Sequence, residues 1–185
     1  MKILSYLILF LTLIIGGCED NSDLSTKPDR TDQIKLIELP AKENLSIESD
    51  FSVSQIINGA TGGEILFESS YPGGPFGTVT IYANIVFPPN AFVGERNITM
   101  TVSDDLAVLT FSPPMVFNTP AILNVTFGGL DLADVDPANV NFISINDDGS
   151  TIQVYSSNLS VTKQIGKINL DDAIIPHFSR LGFTR

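Results

Sequence analysis

The chain has no tryptophan, one cysteine and one histidine in 185 residues. A single Cys excludes an internal disulfide framework, and Cys18 with His177 as the only such pair excludes the clusters that hold zinc, haem or iron–sulfur centres. Positive charge is also scarce. Ten Lys and Arg stand against 21 Asp and Glu, giving a net charge of −11, so nucleic acid is not an expected partner. There is no phosphate-binding loop and no dinucleotide fingerprint, and neither a cofactor nor a metal is expected. Long apolar runs are missing too. The one candidate, Ile3 to Ile15, falls short of the about 20 residues that a membrane-spanning helix needs. Without Trp, and with only four Tyr, the chain has little of the usual equipment for stacking on sugars.

What is present begins at the N-terminus. Met1-Lys2 precedes the uncharged stretch Ile3 to Ile15, then come Gly16-Gly17-Cys18 and the acidic pair Glu19-Asp20. This order is that of a secretory signal: a basic start, a short apolar core and small residues where a peptidase needs access. Ile15-Gly16-Gly17-Cys18 resembles the lipobox of bacterial lipoproteins, and the only Cys occupies its essential position. The resemblance implies a signal peptide over 1–17, cleavage before Cys18 and acylation of its sulfur and new amine. Each buried methylene adds about 0.8 kcal/mol, so two or three chains anchor stably. The implied location is the bacterial cell envelope, most simply the outer membrane, facing either the periplasm or the surface.

Residues 18–50 are polar and acidic and read as an extended, solvated tether. Ile34, Leu36, Ile37 and Leu39 form a small apolar cluster there that is able to supply an edge strand. Beyond residue 50 the apolar period is two. Val79, Ile81, Ala83, Ile85 and Phe87 alternate with Thr78, Thr80, Tyr82 and Asn84, the pattern of a half-buried strand. Similar runs follow over 97–103, 106–111, 121–127, 142–145, 152–155, 159–165, 168–175 and 178–183, rich in Val, Ile, Thr and Phe. Gly62-Gly63, Pro72-Gly73-Gly74-Pro75, Pro88-Pro89-Asn90, Pro113-Pro114 and Asn146-Asp147-Asp148-Gly149 punctuate them. The expectation is all-β: one antiparallel β-sandwich over 51–185, of about 8–10 strands.

Three motifs within that region belong together. Phe87-Pro88-Pro89-Asn90-Ala91-Phe92 with the strand from Ile98 to Val102, the segment from Phe111 through Pro113-Pro114 and Phe117 to Leu123, and His177-Phe178-Ser179 resemble, in order, the signature stretches of the ZU-five domain of ankyrins, zonula occludens protein and netrin receptors. The likeness runs from about Gly62 to Phe183, with Gly129-Leu130-Asp131 matching a step common in envelope proteins of this type. Asn90 stands where Gly is usual and Phe87 where Ile is usual. Independently of family, the Pro pairs end strands, Asn90 tolerates left-handed backbone, and Phe92 is placed to fold back into the core.

His177-Phe178-Ser179 carries the only suggestive chemistry. In some relatives of the resembled domain this tripeptide is self-cleaved between Phe and Ser. The resemblance implies Ser179 as nucleophile, Phe178 as donor of the attacked carbonyl, and His177 as base or backbone organiser. The structural alternative puts His177 and Ser179 on one strand face, hydrogen-bonded at a rim, with Phe178 in the core. A second candidate is the glycine- and proline-rich loop that presents Tyr71 and Phe76 to a partner, or that is merely a hairpin tip. The acidic stretches Asp131–Asp136 and Asn146–Gly149 lack calcium-loop spacing and read as solvated turns. Together these features predict a lipid-anchored, non-catalytic binding or assembly domain. Self-cleavage is the first alternative, and a surface carbohydrate-binding or adhesion domain the second. The partner, envelope protein or polysaccharide, stays open.

Overall fold

Strict alternation in the sequence becomes strict alternation in space. In the computed structural model, which describes residues 34–42, 51–146 and 148–185, the strand Thr78–Phe87 buries Val79, Ile81, Ala83, Ile85 and Phe87 and turns its other residues outward. Eleven strands form among the described residues: β1 (Phe51–Asn58), β2 (Gly63–Pro72), β3 (Thr78–Phe87), β4 (Glu95–Val102), β5 (Val108–Ser112), β6 (Val116–Gly128), β7 (Phe142–Ile145), β8 (Thr151–Gln153), β9 (Asn158–Thr162), β10 (Lys167–His177) and β11 (Arg180–Phe183). All pair antiparallel in two packed sheets, so the fold is the expected all-β sandwich. One sheet has six strands in the order β1-β4-β5-β11-β7-β8, the other five in the order β2-β3-β6-β10-β9. The expected signal peptide, Cys18 and the 19–33 and 43–50 parts of the expected tether lie outside the described residues.

The core lies between the sheets and is aromatic at both ends. Phe127, Phe142 and Phe183 meet at one end, with ring centroids 4.8 and 5.9 Å apart. Phe87, Phe92, Phe111, Phe117 and Phe178 meet at the other. Among the described residues no buried side-chain nitrogen or oxygen lacks a hydrogen-bond partner.

The domain begins earlier than the change in composition at residue 50 suggests. Residues Ile34–Arg185 form one compact unit, and Ile37 and Leu39 are core residues. Ile37 N–H donates to the Phe183 carbonyl, Ala107 N–H to Ile37, Leu39 N–H to Asp105 and Arg185 N–H to Lys35, all at 2.8 to 2.9 Å. The 34–42 part of the expected tether is thus a strap bonded into the sandwich, because its apolar residues cover core that the strands leave open. Arg185 and Glu38 pair across it at 3.2 Å.

Candidate functional site

His177-Phe178-Ser179 sits at a corner where the chain leaves one sheet for the other. β10 ends at His177 in the five-stranded sheet and β11 begins at Arg180 in the six-stranded one. The sequence reading of one strand from Phe178 to Phe183 is therefore corrected: Phe178 and Ser179 belong to neither strand. Phe178 is buried and stacks on Phe111 at 4.9 Å, while Phe117 meets it edge-on at 4.9 Å and Phe87 at 6.1 Å. Its N–H donates to the Met115 carbonyl at 2.8 Å. The three motifs singled out in the sequence thus converge through their phenylalanines. Asn90 adopts φ 65°, which lets Ala91 and Phe92 turn back beneath Phe87.

The side chains of His177 and Ser179 do not pair with each other. Ser179 Oγ accepts from Ser144 Oγ at 2.8 Å, and Ser144 is the one buried polar residue among the described residues. His177 Nδ1 lies 3.3 Å from the Phe178 carbonyl oxygen, donating to it in the tautomer protonated at Nδ1. The expected rim bond between His177 and Ser179 is not made. Of the roles implied for His177, the geometry suits polarising the Phe178 carbonyl better than drawing the proton from Ser179. A small cavity of about 230 Å³ opens here between Thr110, Pro114, Asn146, His177 and Arg180.

Tyr71 is not presented to solvent. It is 4% exposed, stacks on Phe51 at 5.8 Å, and its hydroxyl donates to the Pro40 carbonyl at 2.9 Å. The expectation of a displayed Tyr71 fails because the strap, absent from that reasoning, covers it. Lys42 Nζ lies over both rings, 3.7 Å from the Phe51 centroid and 5.8 Å from that of Tyr71. Phe76 does stand out, at 47% exposure. Its loop is no free tip: Gly73 and Gly77 bond across it and Gly74 packs on Pro40. Burial pushes the Tyr71 hydroxyl from its ordinary pKa of 10.0 up to about 12. The folded state then holds a proton that the unfolded state releases, so the contribution of this group to stability is constant below pH 10 and falls between pH 10 and about 12. Denaturant titrations across that range are expected to show the loss, and Tyr71→Phe, which cannot ionise, is expected to flatten it.

The acidic stretches behave as turns. Asp131 accepts from Ala133 N–H, Asp136 from Ala138 N–H and Asp148 from Ser150 N–H. A cleft of about 670 Å³ lies beside them, between the strap, Gly74-Pro75 and residues of the 131–135 stretch.

One surface was missed in the sequence. The outward face of the five-stranded sheet carries a row of polar side chains in register: Glu68 of β2, Tyr82 of β3, Thr126 of β6, Asn169 of β10 and Ser160 of β9. Tyr82 is 39% exposed and stands in a shallow groove of about 390 Å³ with Glu68, Ser70, Thr80 and Thr126. Its signal was the alternation that puts Tyr82 opposite in facing to Ile81 and Ala83. No family model, curated protein or solved structure matches the chain.

Proposed function

We propose that the protein is a lipid-anchored component of the bacterial cell envelope whose β-sandwich, ZU-five-like in its motifs, binds or assembles without turning over a substrate. The observation that carries the anchor is Ile15-Gly16-Gly17-Cys18, with the chain's only cysteine at the acylated position. The non-catalytic reading draws on the corner at Phe178. Its ring, its N–H and the Ser179 hydroxyl are all engaged in packing or in bonds to Met115 and Ser144.

The test is the intact mass of the protein purified from the membranes of its own host. A polypeptide starting at Cys18 with acyl chains and ending at Arg185 is the expected result. An unlipidated mass would overturn the anchor.

The second reading, self-cleavage between Phe178 and Ser179, is favoured by the His177 contact with the carbonyl that would be attacked. In that reaction Ser179 Oγ bonds to the Phe178 carbonyl carbon, the peptide C–N bond breaks and the Ser179 nitrogen takes the hydroxyl proton. Water then hydrolyses the ester, leaving a carboxylate on Phe178 and a free Ser179 amine. A mass lacking Ser179 to Arg185, restored to full length by Ser179→Ala, would establish this reading in place of the first.

A further inference from the structure

We infer that the groove around Tyr82 on the outward face of the five-stranded sheet is a binding site for an uncharged polysaccharide. This goes beyond the anchored binding domain by naming a surface and a ligand class, and it does not depend on the anchor.

The face is built in two parts. On β10, β6 and β9 the side chains hold one another: Thr126 Oγ1 donates to Asn169 Oδ1 at 2.6 Å, Asn169 Nδ2 to Asp171 Oδ2 at 2.8 Å and Asn158 Nδ2 to Asp171 Oδ2 at 2.9 Å. This network fixes one wall. On β2 and β3 the Glu68 carboxylate and the Ser70, Thr80 and Tyr82 hydroxyls face the groove and make no hydrogen bond to the described residues. A fixed wall beside unspent donors and acceptors is a pre-organised polar site.

Charge and spacing select the occupant. Glu64 and Glu68 of β2 and Asp171 and Asp172 of β10 lie on or beside this face, and Lys167 is the one Lys or Arg in the five strands that form it. Acidic polymers are repelled there, while hydroxyl groups find carboxylate and hydroxyl acceptors. The exposed Tyr82 ring supplies an aromatic surface in the groove, against which the apolar face of a sugar ring packs. Neighbouring strands stand about 4.8 Å apart, close to the length of one pyranose unit. A glycan lying across the strands therefore meets Glu68, Tyr82, Thr126, Asn169 and Ser160 roughly one per sugar.

The test is affinity electrophoresis of the full-length protein in detergent, through gels containing β-1,3-glucan, dextran or mannan, with alginate as the polyanion. Retardation by at least one neutral polymer and not by alginate is expected, with Tyr82→Ala and Glu68→Gln each weakening it about tenfold. Thr80→Val, which keeps shape and removes one hydroxyl, is expected to weaken it without changing the thermal midpoint, separating a lost site from a lost fold. Phe76→Ala, on the loop, is expected to change nothing. Four results overturn the proposal: no retardation by any of the three neutral polymers, equal retardation by alginate, retardation that survives Tyr82→Ala, or a dimer abolished by Tyr82→Ala, which would put a second copy on this face.

Discussion

Phe178→Ala is expected to destabilise the sandwich by about 3–5 kcal/mol, the range for truncating a buried aromatic ring. The ring stacks on Phe111 and takes edge contacts from Phe117 and Phe87, so its removal leaves a cavity walled by three other rings. Those rings are tied to two proline turns and three strands, which limits how far the site can collapse. Chemical denaturation at neutral pH measures the loss directly. Ser179→Ala on the same corner removes only the hydroxyl that accepts from Ser144, an expected cost of about 1 kcal/mol. The contrast decides what the tripeptide is for. If Phe178→Ala were no worse than Ser179→Ala, the packing account of His177-Phe178-Ser179 would fail.

Ile37→Ala is expected to cost about 2–5 kcal/mol, as for other buried aliphatic residues. A solvated tether residue would cost nothing. Ile37 is 1% exposed, and its backbone N–H and carbonyl bond to Phe183 and Ala107. A chain begun at Phe51 is expected to fare worse, since it also loses Leu39 and uncovers Tyr71, and to unfold at markedly lower denaturant than one begun at Ile34. Equal midpoints for the two chains would show that the strap is dispensable.

The fold was legible where alternation was clean and obscured where it was not. β3 and β7 have the bounds the pattern implied: in β3 every second residue meets the core, and in β7 a short apolar run has its first three residues buried. β2 was passed over because Leu66, 45% exposed between buried Ile65 and Phe67, breaks the apolar–polar rhythm. β1 was missed for a similar reason: exposed Ile56 precedes buried Ile57. The strap was legible in part: Ile34, Leu36, Ile37 and Leu39 read as able to supply an edge strand, but the acidic residues around them drew the boundary to residue 50, past Ile37 and Leu39, which lie in the core. At the candidate sites, local pattern placed Phe92 and Phe178 in the core and gave Asn90 its left-handed backbone. It failed for Tyr71, whose environment is set by Pro40, 31 residues away. It also failed for the row from Glu68 to Ser160, which exists only once five strands are in register. Pairing across a sheet is not written in any one strand.

The strap has a mechanical consequence. Leu36 bridges Thr184 and Glu38 bridges Leu106, both antiparallel, so the entering chain lies along the six-stranded sheet. Among the described residues, the bonds of Lys35, Ile37 and Leu39 are the first that the entering chain makes to the sandwich. The strap therefore doubles as a clasp, and its release would expose Tyr71 and Ile37, both of which it keeps buried.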